Sequence, residues 1–264
     1  MQFDVDGHSV FASTGGREFD PSLPTILFVH GAGNDHSVWQ MPARYFAYHG
    51  RSPLAIDLPG HGRSGGKALA TIEEMAGWVL CVIDALSLGE VSIVGHSMGA
   101  LVALAAAAKA AKADRIKSLA LLGISTKMGV HPELLAAARR NDHLAIDLIT
   151  TWGFSPESQV GGNRVPGVWM TGGGARLLET IPDGILGNDL AACEAYVDAP
   201  AMARKVTCPT LVLLGSRDLM TPQKGGRELA ADFADARTIV LENCGHMMLV
   251  ERPNETLDAL RDII

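Results

Sequence analysis

Short, continuous apolar runs alternate along the chain with longer segments of helical spacing. The runs at 25–29 and 210–214 are apolar at nearly every position, as expected of strands buried on both faces of a sheet. Further strands are predicted at 53–57, 91–94, 116–122 and 238–241, after a hairpin near 5–12. Helical spacing covers 72–86, 100–111 and 253–264. The alternation predicts an α/β fold with a mainly parallel sheet covered by helices.

The segment from 126 to 206 interrupts this alternation. Helical stretches are predicted at 132–140, 144–151, 175–180 and 189–196, with no strand of the main pattern between them. Open α/β sheets bind ligands at the carboxyl edge of their strands. We therefore predict a core domain of residues 1–125 and 207–264 and a helical cap, or lid, of residues 126–206. The glycine-rich stretch 161–174 makes the cap a candidate for motion, and a plain surface excursion is the alternative.

Composition narrows the class of protein. The 264 residues suffice for one large α/β domain, and the net charge of −7 argues against a nucleic-acid partner. Apolar runs stay short of the roughly 20 residues that a membrane span needs, and the N-terminus lacks the pattern of a secretory signal. The four cysteines form no Cys-x-x-Cys pair, which favours reduced thiols in a cytoplasmic protein without a zinc site. We expect a monomer or small homo-oligomer.

The sequence Gly95-His96-Ser97-Met98-Gly99 lies between the 91–94 run and an alanine-rich stretch. A serine with glycine two residues before it and two residues after it, at the junction of a strand and a helix, is the pattern of a nucleophile elbow. Such a turn is sharp, so residues larger than glycine would collide at either side. The pattern predicts Ser97 as a nucleophile, and a serine that only caps the next helix is the alternative.

A catalytic serine needs a histidine to accept its proton and an acid to orient that histidine. His246 follows the last predicted strand, and Asp218 follows the 210–214 strand, so both should lie at the edge that holds Ser97. Asp57 also ends a strand, but we expect it to anchor a turn through backbone N–H groups. The order Ser97, Asp218, His246 is the one associated with α/β-hydrolases.

Three other histidines of these motifs are predicted to have no part in the chemistry. His30 and His61 precede glycines in loops and are expected to hold those loops by hydrogen bonds. His96, by the alternation of side chains along a strand, is expected to point away from the site.

An oxyanion site needs two backbone donors. The sequence His30-Gly31-Ala32-Gly33 follows the 25–29 strand, at the same predicted edge as the elbow. Glycine allows the backbone to approach a bound carbonyl closely, so the N–H groups of Ala32 and Met98 are the predicted donors. A phosphate loop is disfavoured, because the third glycine of the dinucleotide pattern and any Gly-Lys-Ser/Thr are absent from the sequence.

Large side chains in the catalytic loops and the predicted cap suggest an apolar substrate pocket. Its predicted lining comprises Gly31, Trp39, Trp152, Trp169 and Met247. For Trp39 an ordinary core position is an equally good interpretation. Arg164 and Arg176 could bind a carboxylate, although surface solvation is the simpler role for both.

Five motifs in order resemble those of the α/β-hydrolase superfamily along nearly the whole chain. They are His30-Gly31-Ala32-Gly33, Asp57-Leu58-Pro59-Gly60-His61-Gly62-Arg63-Ser64, the elbow, Gly215-Ser216-Arg217-Asp218 and Gly245-His246. The resemblance implies an eight-stranded sheet with one antiparallel strand, a cap after the sixth strand, a Ser97–Asp218–His246 triad, and Ala32 and Met98 as oxyanion donors. Serine at 97 separates the chain from similar dehalogenases and epoxide hydrolases, which carry aspartate there.

The predicted activity is hydrolysis of small to medium, mainly apolar carboxylic esters through an acyl-enzyme, without a metal or organic cofactor. The same triad would serve a lactonase, a carbon–carbon bond hydrolase or a cofactor-free perhydrolase. A ligand receptor that keeps a hydrolase pocket is the alternative outside the enzyme class.

Overall fold

A computed structural model of the chain describes residues 1–111, 115–162 and 169–264. Its strands are β1 (Gln2–Val5), β2 (His8–Ser13), β3 (Thr25–Val29), β4 (Ser52–Ile56), β5 (Val91–His96), β6 (Ile116–Leu122), β7 (Thr210–Gly215) and β8 (Ala236–Leu241). They form one eight-stranded sheet in the order β1-β2-β4-β3-β5-β6-β7-β8. Strand β2 is antiparallel to β1 and β4, whereas every pair from β4 to β8 is parallel. The predicted fold class is confirmed.

The described α-helices are α1 (Gln40–Ala47), α2 (Ile72–Ala85), α3 (Met98–Ala110), α4 (Pro132–Arg139), α5 (Leu144–Gly153), α6 (Pro156–Gln159), α7 (Met170–Leu178), α8 (Ile185–Ala195), α9 (Ala199–Ala203), α10 (Gln223–Ala230), α11 (Met248–Glu251) and α12 (Pro253–Arg261). Helices α1, α2, α3, α10 and α12 pack against the strands of the sheet. A capping box of Thr71 and Glu74 starts α2. Proline in the first turn starts α12, as the sequence predicts. None of the described helices is both long and apolar enough to cross a bilayer.

Two apolar clusters fill the space between sheet and helices. One cluster joins β3, β5 and β6 to α2 and α3, and the other joins the opposite face to α1, α11 and α12. Helix α3 is buried along almost its whole length. Its run of alanines has the small side chains that such close packing on all sides requires.

Helices α4–α9, here called the inserted helices, come between β6 and β7 in the sequence. The described residues of this segment contain no strand. They enclose a small apolar cluster of their own. The glycine-rich stretch falls partly on 163–168, outside the described residues. Helix α7 begins at Met170, five residues before the predicted start, in spite of three consecutive glycines. The ring of Trp169 packs so closely on Gly172 that a β-carbon there would overlap it.

The turn between β5 and α3 brings backbone segments into close contact. Ser97 adopts φ 55° and ψ −121°, a conformation that side-chain-bearing residues rarely adopt. A β-carbon on Gly95 would collide with the backbone of Gly99, and a β-carbon on Gly99 would collide with the carbonyls of Val29 and His30. Both glycines are therefore required by space, as the elbow pattern predicts.

Replacing Gly99 by alanine should lower the free energy of unfolding by at least about 1–3 kcal/mol, because the new methyl group overlaps backbone that cannot move aside. The matched control is Gly77→Ala in α2, where a β-carbon meets no atom within 4 Å. That change should stabilise by about 0.5–1 kcal/mol through helix propensity. Urea unfolding of both variants measures the difference, and equal effects would contradict the packing argument.

Candidate active site

The ends of three parallel strands bring Ser97, Asp218 and His246 to the same edge of the sheet. Ser97 follows β5, Asp218 follows β7, and His246 lies in the loop after β8. The Asp218 Oδ2 and His246 Nδ1 atoms are 2.7 Å apart, and both side chains are buried. An imidazole whose Nδ1–H donates to a carboxylate presents an unprotonated Nε2 on its other side.

Asp218 is held by further hydrogen bonds. Its Oδ1 accepts the N–H groups of Met220 and Thr221, each at 2.8 Å, and its Oδ2 accepts the Thr221 hydroxyl at 2.8 Å. Burial alone raises the pKa of the Asp218 carboxyl, but His246 and the Thr221 bonds outweigh this and hold the pKa below its ordinary value. The carboxylate therefore stays ionised beside the imidazole. Thr221 is a contact that the sequence analysis missed, since nothing in its local pattern marks it.

The Ser97 hydroxyl and His246 line one cavity. Among the described residues, no hydrogen bond joins the hydroxyl to the imidazole, and such bonds often tighten only with substrate bound. Ser97 is the N-cap residue of α3, yet its side chain makes no capping bond. The interpretation of Ser97 as only a helix cap is therefore wrong.

Two backbone amides near Ser97 have no acceptor in the described part of the protein. Within the described ranges, neither the Ala32 nor the Met98 N–H donates to a protein acceptor. The next amide in the loop, that of Gly33, donates instead to Asp189 Oδ2 at 2.9 Å. Ala32 also lines both cavities that meet at Ser97. Ala32 and Met98 are the two residues that the sequence predicts as oxyanion donors, and that role stays a prediction.

Two cavities meet at Ser97 and share Ala32, Leu190 and Met220 as walls. The first cavity measures about 270 Å³, and its apolar walls include Met128, Val130, Leu134, Trp152 and Cys193. The second cavity measures about 50 Å³ and is lined by His246, Met247, His96 and Asn34, among others. No lysine or arginine is found among the described residues that line either cavity.

Some of the predicted pocket residues line these two cavities, and others lie elsewhere in the fold. Trp152 lines the first cavity and Met247 the second. Gly31 lies beside the nucleophile, since a β-carbon on it would be 3.2 Å from the Ser97 β-carbon.

Trp39 and Trp169 are not pocket residues. Trp39 is fully buried in the core, with its ring 5.0 Å from that of Phe28, in the apolar cluster that also contains residues of α1 and α12. The Trp169 side chain is 75% exposed at the start of α7, packed on Gly172. Arg176 pairs with Glu179 on the surface, and Arg164 lies outside the described residues.

The prediction that His96 points away from the site is wrong. Its ring lies 4.8 Å from that of His246, and its Nε2 is 2.9 Å from the His246 carbonyl oxygen. The side chain also lines the second cavity. Strand alternation fails as a guide at this position because β5 ends here and the backbone turns sharply into the elbow.

A buried carboxylate on α8 holds two loops at this edge of the sheet, and the sequence analysis missed it. Asp189 is fully buried, and its Oδ2 accepts both the Gly33 N–H and His61 Nε2, the latter at 2.8 Å. It thereby ties the loop that carries Ala32 to an inserted helix. No local pattern marks an aspartate in mid-helix, because its partners lie more than 120 residues away.

A second buried carboxylate holds the histidine loop. Glu251 Oε1 accepts the Gly245 N–H at 3.0 Å, while its Oε2 accepts the Ser155 N–H and the Ser158 hydroxyl. The His246 N–H donates to the carbonyl of Gly153 at 2.7 Å. The loop that carries His246 is thus bonded to the end of α5 and to α6.

His30 and His61 hold their loops by hydrogen bonds, as predicted, but their pKa values shift in opposite directions. His30 Nδ1 lies 2.9 Å from the Gly31 carbonyl and its Nε2 accepts the Leu58 N–H, so only a neutral ring satisfies both contacts. Burial, aided by nearby His61, lowers the pKa of His30 to about 4. Burial also acts to lower the pKa of His61, but its bond to Asp189 outweighs this and raises the pKa above its ordinary value.

Asp57 anchors its turn, as predicted. Its carboxylate accepts the N–H groups of His36 and Arg63, and it contacts the His36 ring at 2.9 Å. Asp35, His36 and Asp57 lie close enough together to hold a cation. The oxygen and nitrogen atoms that could bind a metal are already hydrogen-bonded to each other or to backbone N–H groups, so we assign no metal to them.

Stability should depend on pH through His30. Its folded pKa of about 4 lies below the ordinary 6.5, so the unfolded chain binds more protons between these values and stability falls as pH falls. The loss should approach roughly 1.4 kcal/mol per pH unit. His30→Gln keeps an acceptor for Leu58 but does not titrate. Urea unfolding between pH 7 and 5 should therefore give a shallower slope for this variant, and an unchanged slope would contradict the assignment.

Removing the Asp189 carboxylate should lower the free energy of unfolding by about 1–3 kcal/mol or more, because Gly33 N–H and His61 would lose a buried acceptor. Asp189→Ala removes the acceptor, whereas Asp189→Asn can turn its amide oxygen to the same partners. We expect the asparagine variant to recover most of the loss in urea unfolding. An equal loss of stability in both variants would show that Asp189 does not stabilise the fold through its bonds to Gly33 and His61.

Comparison with known proteins places this geometry in a family. A sequence profile described as the alpha/beta hydrolase family matches residues 26–259. An (E)-2-((N-methylformamido)methylene)succinate hydrolase of Acinetobacter baylyi is 26% identical over 243 residues, covering 89% of this chain and 88% of that protein. A 3-oxoadipate enol-lactonase 2 of the same organism is 25% identical over 244 residues, covering 87% and 84%.

A solved structure is similar over the whole chain. The enol-lactonase of Burkholderia xenovorans LB400 superposes with a TM-score of 0.87 at 26% identity, covering 100% of this chain and 99% of that one. The similarity therefore includes the inserted helices as well as the sheet. Since the family profile also spans most of the sequence, the chain belongs to the alpha/beta hydrolase family.

Proposed function

We propose that this protein is a serine hydrolase that cleaves carboxylic esters through a covalent acyl-enzyme, with Ser97, His246 and Asp218 as the triad. The observation that supports it most is the buried Asp218–His246 pair at 2.7 Å, whose His246 lines the cavity that also holds the strained Ser97. The helices inserted between β6 and β7 would act as the cap. The four cysteines form no Cys-x-x-Cys pair, which is compatible with the cytoplasmic location that we expect.

In the proposed acylation step, the Ser97 oxygen attacks the ester carbonyl carbon while His246 Nε2 accepts the hydroxyl proton. The carbonyl oxygen becomes an oxyanion, which the N–H groups of Ala32 and Met98 stabilise. The ionised Asp218 stabilises the imidazolium and fixes its tautomer. Collapse of the intermediate breaks the bond to the alcohol oxygen, which leaves with the proton from His246.

Deacylation reverses these roles with water as the nucleophile. His246 accepts a proton from the water as its oxygen attacks the acyl carbon, and the same two amides hold the second oxyanion. The bond to Ser97 then breaks, Ser97 recovers the proton, and the carboxylic acid is released. All of these proton transfers use residues of this chain.

The first cavity favours an apolar acyl group. Its walls are mostly apolar side chains, with His131 as the only imidazole, and no lysine or arginine is found in the described lining to bind a carboxylate. The names of the two curated relatives contain succinate and 3-oxoadipate, which are dicarboxylic acids. We therefore infer that this chain acts on uncharged esters, in contrast to what those names indicate for the relatives.

Lactones are the second candidate substrates. The whole-length likeness to an enol-lactonase, at a TM-score of 0.87, favours them over the other reactions that the same triad serves. A lactone is a cyclic ester, so the proposed chemistry is unchanged except that the alcohol stays attached to the acyl group. A panel of simple esters, lactones and β-diketones would separate ester, lactone and carbon–carbon bond cleavage.

Replacing Ser97 by alanine should lower turnover of p-nitrophenyl butyrate by several orders of magnitude, because triad residues act as a unit. The matched control is Ser9→Ala, on the exposed side of β2, which should leave turnover unchanged. Release of p-nitrophenol over many cycles measures both variants. Retained activity in Ser97→Ala would remove this residue from the mechanism, and acylation without turnover in the unaltered protein would favour a receptor.

A further inference from the structure

The Thr221 hydroxyl contacts both members of the buried Asp218–His246 pair. Its Oγ1 lies 2.8 Å from Asp218 Oδ2 and 3.2 Å from His246 Nδ1, and these two atoms are themselves 2.7 Å apart. The three polar atoms therefore form a triangle in which every side is a hydrogen-bond distance. All three side chains are buried, with Thr221 only 2% exposed, so this triangle is shielded from solvent.

The protons of this triangle follow from the chemistry of its three groups. An ionised carboxylate can only accept, so the Thr221 hydroxyl and the His246 Nδ1–H both direct their protons to Asp218 Oδ2. The Thr221 oxygen then turns a lone pair toward the His246 Nδ1–H. A single hydroxyl thus places the positive end of its dipole against the carboxylate and the negative end against the imidazole.

This orientation of the hydroxyl stabilises the charges that the proposed mechanism requires. When His246 accepts the Ser97 proton, a positive charge develops on the imidazole between the Asp218 carboxylate and the Thr221 oxygen. A dipole that is already aimed at a developing charge stabilises the transition state without reorganising during the reaction. The effect is larger in a buried site than in water, because the surrounding dielectric constant is low.

The His246 ring is closely packed by two further residues. Its neighbour His96, 4.8 Å away between ring centres, stays neutral because burial lowers the pKa of His96 to about 3. A β-carbon on Gly123 would lie 3.0 Å from His246 Nδ1 and 3.6 Å from Thr221 Oγ1, so the backbone of β6 ends against this edge of the ring. Among the described residues, Nδ1 has hydrogen-bond contacts with Asp218 and Thr221 alone.

From these contacts we propose that Thr221 is a positioning residue for the triad. Its hydroxyl holds the Asp218 carboxylate and the His246 ring in a fixed relative orientation and stabilises the imidazolium. Thr221 acts through these two residues and not on the reacting atoms of the substrate. The inference rests on the proposed ester hydrolysis and adds a fourth side chain to the proposed triad.

Two substitutions separate the hydroxyl from the rest of the Thr221 side chain. Thr221→Val keeps the branched shape, and with it the wall of the first cavity, but removes the hydroxyl. Thr221→Ser keeps the hydroxyl and removes the methyl group. Both variants retain the backbone N–H of residue 221, which donates to Asp218 Oδ1. The rate of hydrolysis should follow the hydroxyl and not the shape.

Ethyl butyrate and p-nitrophenyl butyrate provide the readout. Ethanol needs a proton from His246 to leave, whereas p-nitrophenolate is stable enough to leave without one. Thr221→Val should lower kcat/KM about tenfold or more on ethyl butyrate but only a few fold on p-nitrophenyl butyrate. KM should stay nearly unchanged, because the cavity wall keeps its shape. Thr221→Ser should remain within about threefold of the unaltered protein on both esters.

A merely structural role for Thr221 would lower kcat/KM by the same factor on both esters, and that result would overturn the proposal. A Thr221→Ser variant as slow as Thr221→Val would overturn it as well. The ratio of the two esters within one variant does not depend on how much of the protein is folded. Should Thr221→Val fail to fold, Thr221→Ala removes the same hydroxyl and should give the same larger loss on ethyl butyrate.

The two levels of inference fail in different ways. Ser97→Ala serves as the blank for both esters. If the unaltered protein cleaves neither ester, the proposed function fails, and the role of Thr221 fails with it. If the unaltered protein cleaves both esters and Thr221→Val leaves both values of kcat/KM unchanged, only the role of Thr221 is refuted.

Discussion

The close approach of three backbone segments around Ser97 is the constraint on which the rest of the site depends. Strand β3, strand β5 and the start of α3 come so near that Gly95 and Gly99 have no space for a side chain. This contact fixes the positive φ of Ser97 and leaves the Met98 amide unpaired at the start of α3. The same turn brings His96 against His246, so the proposed nucleophile and one of the proposed oxyanion donors derive from one bend of the chain.

Much of this arrangement was predictable, because the information is local. Strands buried on both faces are continuous apolar runs, and the elbow needs glycine at two fixed positions, so the sheet and Ser97 could be read directly. Asp218 and His246 follow from their places after strands. Helices α1 and α10 were missed, since proline in one and two glycines in the other obscure the helical pattern.

What could not be read depends on contacts between distant parts of the chain. Asp189 and Glu251 look like ordinary helical acids in the sequence, and only folding shows that each is buried against a catalytic loop. The sequence leaves Trp39 open between pocket and core, because the direction of its side chain depends on how α1 packs on the sheet. His96 was misjudged because periodicity gives no information once a strand has turned.

The bonds of Asp189 and Glu251 have a consequence for protein engineering. The inserted helices share buried carboxylate bonds with the loop of Gly33 and with that of Gly245, so they are not an independent module. Exchanging this segment for that of a relative would separate Gly33 and His61 from Asp189, and Gly245 and Glu251 from the Ser155–Ser158 turn. A functional chimera must therefore carry both sides of each bond across the junction, and recombination points chosen only at the ends of β6 and β7 would leave buried polar groups without partners.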